Sequence, residues 1–284
     1  MEKAREALMK AVDLLKEQGY NVVFVALYGA QNYNLQRPKS DFDFKAVVVP
    51  SLDDIVNNAK PTSLVVEGGE AFDGQVDVKD IRLMVDQWKK GATNFMELLF
   101  TDWQWVNPDF EPMNWFIDHR ETIAKANPES ALRAMLGMIT EKHHALTHPY
   151  PVQIKEIEEF GFAGKQLSHE LRLHNMMEWF FVLPYSELLN PSKVVFPEDE
   201  EVQESRAKVF SFILKVKEQS AGLDLDSAKL LGQDTEDKAK ALFEDHKAHG
   251  VFDDIGINAS VLKKMDEKKS EIIKIALRNE LLEG

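Results

Sequence analysis

Cysteine is absent from the 284 residues, which rules out disulfides, thiolate metal sites and cysteine nucleophiles. Any metal ion must therefore be held by oxygen or imidazole, and a cytoplasmic setting is expected. Apolar runs are short too. None approaches the roughly 18 residues that span a bilayer, and the opening stretch through Lys10 mixes charge with alanine where a secretory signal would carry an unbroken apolar core. No membrane partner is expected. Positive charge is scarce: Lys and Arg number 34 against 48 Asp and Glu, a net charge of −14. A surface that grips a long nucleic-acid backbone is usually basic, so this chain suits small ligands or contact through a local basic patch. Also missing are the Gly-x-x-x-x-Gly-Lys phosphate loop, the Rossmann glycine fingerprint and the Gly-x-Ser-x-Gly elbow.

The composition is that of a globular protein, 44% hydrophobic and 29% charged, with length for one large domain or two modest ones. It gives no sign of oligomeric state. Leu8, Val12 and Leu15 fall at helical spacing and Gly19 follows as a C-cap, which predicts an amphipathic helix over 2–18. Residues 22–27 form a short β-branched apolar run suited to a buried strand. A polar loop over 28–39 follows, then strands over 42–49 (stopped by Pro50), 64–66 and 75–78. Helical periodicity resumes at Asp80 and again over 95–100. Beyond about Asp118 the strand signal fades, and long helices are expected over 129–147, 154–181, 198–219, 235–249 and 258–282, punctuated by Pro and Gly. The expected fold class is α+β: a mixed sheet with flanking helices over 1–125, then a helical domain over 126–284.

The chemistry concentrates at Ser40-Asp41-Phe42-Asp43-Phe44-Lys45. Side chains two apart on a strand share a face, so Asp41 and Asp43 present carboxylates side by side. Their repulsion makes unpaired burial cost several kcal/mol, and a divalent cation relieves it; Mg²⁺, bound by a few carboxylates plus substrate phosphates, is the natural choice. Asp77, flanked by Val76 and Val78, supplies a third acid. Three carboxylates on adjacent strands can hold two metal ions, one activating an attacking hydroxyl and one stabilising a leaving pyrophosphate. Asp-x-Asp by itself more commonly marks a turn or a helix cap; the glycine-bearing loop before it and the strand-borne acid after it favour a metal site.

Leu27-Tyr28-Gly29-Ala30, then Tyr33-Asn34-Leu35, then Pro38-Lys39-Ser40-Asp41-Phe42-Asp43 resembles the signature of the DNA polymerase beta superfamily: a strand, Gly-Ser, a helical turn and Asp-x-Asp. Tyr-x-Leu with Ser-Asp-x-Asp is similar to the RNA-ligase-associated branch of its predicted nucleotidyltransferases. So is Asp77-Val78-Lys79-Asp80-Ile81-Arg82 through Gly91, Asn94 and Glu97-Leu98. The run from Gly164 to Leu173 is similar to that branch's Lys-x-x-x-His-x-x-Arg helix. The resemblance covers roughly residues 22–100, more loosely 160–185, and nothing beyond about 200. It implies a nucleotidyltransferase-type sheet, a nucleoside triphosphate (NTP) substrate, Mg²⁺ or Mn²⁺ on Asp41, Asp43 and Asp77, and an acceptor that is an RNA end, a small molecule or a protein side chain. Phosphate contacts fall to the backbone of Gly29, Ala30 and Gln31, with Ser40, Lys165 and Arg172 as further candidates. The chain departs from the pattern at Ala30, where the superfamily usually has serine, and at Gln31, often basic in this branch. The missing hydroxyl donor is worth about 1–3 kcal/mol if nothing replaces it.

Lys165, His169 and Arg172 share one helix face, which suits either a phosphate-facing surface or a solvated, charge-mixed one, since Glu170 and Glu178 lie nearby. His143, His144 and His148 read as a polar helix end before Pro149. Trp103, Trp105 and Trp115 read as packing, and Glu97 as either a partner to a metal ligand or a buried hydrogen-bond acceptor.

Overall fold

The computed structural model describes residues 2–33, 35, 41–190 and 200–283. Its secondary structure runs α1 (Glu2–Glu17), β1 (Asn21–Leu27), a 3-10 turn (Ala30–Tyr33), β2 (Phe42–Val49), α2 (Leu52–Val56), β3 (Ser63–Glu67), β4 (Gly74–Asp80), α3 (Ile81–Lys89), α4 (Thr93–Met96), a 3-10 turn (Glu97–Leu99), β5 (Gln104–Val106), a 3-10 turn (Pro108–Phe110), α5 (Pro112–Asp118) and α6 (Arg120–Ala124). It continues with α7 (Pro128–Thr147), α8 (Pro151–Phe160), α9 (Gly164–Trp179), α10 (Tyr185–Leu189), α11 (Glu200–Lys217), α12 (Leu225–Ala248), α13 (Val251–Ile255) and α14 (Ala259–Glu283). The fold is α+β, a five-stranded mixed sheet with flanking helices plus a helical region. Among the described residues no helix is long and apolar enough to cross a membrane.

The chain divides into two compact units. The first comprises Met1–Asn32, Pro38–Asn127 and Ile257–Gly284, the second Tyr33–Arg37 and Pro128–Gly256. The boundary expected at 125/126 thus falls two residues later, and the C-terminal helix returns to the first unit. Three contacts hold it there. The Lys89 ammonium of α3 pairs with Asp266 of α14. The Leu52 N–H donates to Glu280 Oε2 at 2.9 Å, and the Asn258 N–H donates to the Ala126 carbonyl at 2.8 Å.

Within the first unit the strand order is β3-β4-β2-β1-β5. β2 and β4 run parallel, and the remaining pairs are antiparallel. One sheet face is apolar: Phe44, Ala46, Val48, Val76 and Val78 pack with Ala4, Leu8, Val12 and Leu15 of α1 in one buried cluster. That burial follows from the alternation of β2 and the helical spacing of α1. Gly19, at φ +82°, ends α1 and turns the chain into β1. By the same alternation Asp43, Lys45, Asp77 and Lys79 lie on the opposite face.

Among the described residues five strands form where four were expected. β5 has only three residues, below the length at which alternation is legible, and its Trp105 reads equally as packing. The single helix expected over 154–181 is two. Gly161 takes φ +91° as the C-cap of α8, and α9 starts afresh at Gly164. α12 begins about ten residues before its expected start, where Asp224 caps it by accepting from the Ser227 N–H at 2.8 Å.

In the second unit Leu146 of α7, Phe162 and Ala163, Leu167 of α9, Val216 of α11 and Ala228 of α12 form a buried core.

Candidate functional site

The site is built where β1 ends and β2 and β4 begin. The Tyr28 N–H donates to the Asp43 carbonyl at 2.9 Å, which registers the end of β1 against the start of β2. Gly29 then takes φ +83°, a left-handed turn that glycine adopts without penalty, and leads into the 3-10 turn. The Gly29 N–H donates to Glu97 Oε2 at 3.2 Å, and Glu97 is buried. Glu97 is therefore a buried acceptor, and it occupies the backbone donor that the resemblance assigns to phosphate. Gln31 Nε2 donates to the Asp41 carbonyl at 3.4 Å, holding the turn near the entry to β2.

Asp41 is exposed and directly precedes β2, while Asp43 is half-buried within it. Lys45 pairs in register with Asp77, and Asp43 with Gln75. Asp43 and Asp77 are thus diagonal neighbours on one face of parallel strands. Asp77 is bracketed by ammonium groups. Lys79 Nζ stands 2.8 Å from its Oδ1 and Lys45 Nζ 3.7 Å from its Oδ2, and Lys79 also donates to Ser63 Oγ at 2.6 Å. Lys45 is buried, with Nζ 3.3 Å from the centroid of the Tyr28 ring, a cation–π contact. Burial pulls the Lys45 pKa down, opposed by the charges of Glu97, Asp77 and Asp43. Burial pushes the Tyr28 hydroxyl up, followed by Asp43 and Asp77.

Of the acids expected to meet, the structure brings Asp43 and Asp77 onto one face and leaves Asp41 outside the strand. Among the described residues, no group of three or more His, Asp or Glu side chains is placed to hold a metal ion. The charge of Asp77 is met by lysines instead. As arranged, the protein donors do not by themselves fit a divalent centre. Ser40 lies outside the described residues. Ala30 and Gln31 lie in the 3-10 turn, both half-buried.

Lys165 and Arg172 belong to α9 of the second unit. Lys165 is exposed, and its N–H donates to Glu156 Oε1 at 3.3 Å. Arg172 is buried, with its guanidinium 3.7 Å from the centroid of the Tyr33 ring. Sequence reasoning missed Lys45 and Lys79. The alternation that paired Asp41 with Asp43 also places Lys45 with Asp43 and Lys79 with Asp77, so the signal was there.

No protein-family model and no curated protein matches the chain. Among solved structures it is similar to a nucleotidyltransferase-like protein from Exiguobacterium sibiricum, at 10% identity over 85% of this chain and 75% of that one, with a TM-score of 0.30. A likeness this loose carries no argument for fold or activity.

Proposed function

We propose that the protein is a nucleotidyltransferase that moves a nucleoside monophosphate from an NTP to an acceptor hydroxyl on the sheet face bearing Asp43 and Asp77. The observation that carries this is their placement on one face of neighbouring parallel strands, beside the Gly29 turn. It joins the sequence resemblance, which rests on the same residues. In the reaction the acceptor oxygen bonds the α-phosphorus, the bond to the bridging oxygen breaks, and pyrophosphate leaves. Asp43 takes the hydroxyl proton, and Lys45 and Lys79 oppose the negative charge that develops on the phosphates. Asp41, Gly29, Ala30, Gln31 and Ser40 border this face in sequence. The acceptor is an RNA end or a small molecule, with a protein side chain as the alternative. ATP labelled at the α-phosphate, offered to each with and without Mg²⁺ or Mn²⁺, tests the transfer. Label on one acceptor class, lost in Asp43→Asn, is expected. Absence of label on all of them overturns it.

A second function is favoured by specific observations. Ala30 lacks the serine hydroxyl, the Gly29 N–H is taken by Glu97, and Asp77 is held by two lysines. These suit a nucleotide-binding or partner-binding module without turnover. Calorimetry with ATP and Mg²⁺ separates the two: heat of binding that is lost in Asp43→Ala, with no pyrophosphate released by the wild type, identifies the module.

A further inference from the structure

β3 is the outermost strand on its side of the sheet and, among the described residues, pairs only with β4. Hydrogen bonds at both ends of that pairing fix which backbone groups it leaves open. The Asp80 N–H donates to the Thr62 carbonyl at 2.9 Å, and the Gly68 N–H donates to the Gly74 carbonyl at 2.8 Å. Backbone groups alternate sides along an antiparallel strand. Leu64 and Val66 therefore turn theirs toward β4 as well, while Ser63, Val65 and Glu67 turn theirs to the open edge. β4 obeys the same alternation on its far side, where the Phe42 N–H donates to the Asp73 carbonyl at 3.0 Å. Open edges are normally blunted by lysine, proline or a bulge. β3 has none of these: it reads Ser-Leu-Val-Val-Glu, and its register with β4 is unbroken. Leu64 is 39% and Val65 52% exposed, one on each face of the edge. Val65 stands opposite Asp77 on the candidate face, whereas Leu64 and Val66 stand opposite Val78 and Val76 on the apolar face. Glu67 is exposed and has no ion pair or side-chain hydrogen bond among the described residues. Ser63 Oγ accepts from Lys79 Nζ at 2.6 Å, which leaves its hydroxyl proton free to donate.

We infer that the open edge of β3 is a dimer interface, occupied by β3 of a second copy of this chain, antiparallel and centred on Val65. The strand is complementary to itself in that register. Val65 faces its own counterpart, Leu64 faces the second copy's Val66, and Ser63 faces the second copy's Glu67. Apolar meets apolar on both faces. The Ser63 hydroxyl donates to the second copy's Glu67, which extends the polar line running from Asp77 through Lys79. Sliding one strand by a pleat sets Val65 against Glu67 or Ser63 instead, so the side-chain pattern selects one register. In that register Val65 and its counterpart, and likewise Ser63 and Glu67, exchange both of their backbone hydrogen bonds. Two-fold dimers are the commonest assembly of soluble chains, and here the axis crosses the sheet at Val65. Both candidate faces then lie on the same side of one continuous sheet. A strand pairing alone is a small interface, and each copy carries a net charge of −14. Association is therefore weak at low salt and tightens as salt screens the repulsion.

The test is sedimentation equilibrium of the full chain, in which the wild type should form a dimer whose share rises with protein concentration and with salt. Val65→Lys sets two ammonium groups opposite each other across the axis and should weaken the dimer about tenfold. Its melting temperature, measured at a concentration where the wild type is monomeric, should be unchanged, because the side chain is half exposed. Val65→Thr, still β-branched, should keep the dimer. The absence of cysteine allows the register to be read directly. Facing Cα atoms of a hydrogen-bonded pair stand about 5.5 Å apart, within the range a disulfide spans. Val65→Cys under mild oxidation with oxidised glutathione should therefore cross-link two copies, whereas Leu64→Cys, which faces Val66 on the other side of the sheet, should not. A monomer at every concentration and salt overturns the inference. So does a dimer that Val65→Lys leaves as tight as the wild type, which would place the interface elsewhere on the chain. Cross-linking through position 64 as readily as through position 65 overturns it too.

Discussion

Glu170 has no exposed surface, and neither carboxylate oxygen has a hydrogen-bond partner among the described residues. Two titratable groups face it. His143 of α7 brings Nδ1 to 3.4 Å. Glu236 of α12 is itself held by the Thr140 hydroxyl at 2.7 Å and by Lys240 at 2.9 Å. Burial, and then the Glu236 charge, carries the Glu170 pKa from 4.5 up to about 8. The folded chain therefore holds a proton on Glu170 at neutral pH that the unfolded chain has released. The stability this represents is fully present below pH 4.5 and declines as pH rises, until it is lost beyond about pH 8. At 1.36 kcal/mol per pH unit the loss is on the order of 5 kcal/mol. Glu170→Gln keeps the shape and removes the titration. Urea unfolding at steps from pH 5 to pH 8.5 should show the wild type losing stability against the variant, most steeply between about pH 5.5 and pH 7 and levelling off beyond about pH 8, with unchanged m-values. Removing the neighbouring charge with Glu236→Gln takes away the second cause of the shift, so the Glu170 pKa should fall and the upper end of the decline should move to lower pH. Parallel stability curves for wild type and Glu170→Gln would refute the reasoning outright.

Further predictions follow from single contacts. At Gly232 an added Cβ would stand 2.9 Å from Glu170 Oε2, His143 Nδ1 and Leu146 Cδ2 at once, so Gly232→Ala should cost about 1–3 kcal/mol, read as a lower thermal midpoint. Asp80 is fully buried, accepts from the Arg82 N–H at 2.8 Å as the N-cap of α3, and takes the Arg82 guanidinium at 2.6 Å. Asp80→Ala should destabilise by about 1–3 kcal/mol, measured by chemical denaturation. Lys45→Met fills a similar volume but removes the ammonium between the Tyr28 ring and Asp77. It should weaken ATP binding at least tenfold in calorimetry while the fold, followed by circular dichroism, is retained.

Much of the sheet was legible because local chemistry and tertiary packing agree there. The apolar run of β1 lies between Gly19 and the Gly29 turn, and β2 runs from Phe42 to the residue before Pro50, as expected. The break between α8 and α9 was not legible, because apolar spacing continues through Ile154, Ile157 and Phe160 to Leu167 and masks the left-handed cap at Gly161. The return of α14 to the first unit was hidden for another reason. It depends on contacts such as Lys89 with Asp266 and Leu52 with Glu280, far apart in sequence, and helical periodicity says nothing about which partner a helix finds. At the candidate site, strand alternation paired Asp41 with Asp43 and added Asp77 as a third acid on another strand; the structure instead puts Asp43 and Asp77 on one face and leaves Asp41 just before β2. The same alternation carried the signal for Lys45 and Lys79 beside Asp77, whereas the bond from the Gly29 amide to Glu97, 68 residues away, was not legible in sequence.

Pyrophosphate release from each of the four common NTPs, with Mg²⁺ or Mn²⁺ and a mixed pool of RNA and small-molecule hydroxyl acceptors, tests the proposed reaction most directly. Acceptor-dependent release by the wild type, abolished in Asp43→Asn that still melts at the wild-type temperature, is the predicted result. Release that Asp43→Asn leaves untouched would place the chemistry elsewhere and contradict the assignment of the sheet face.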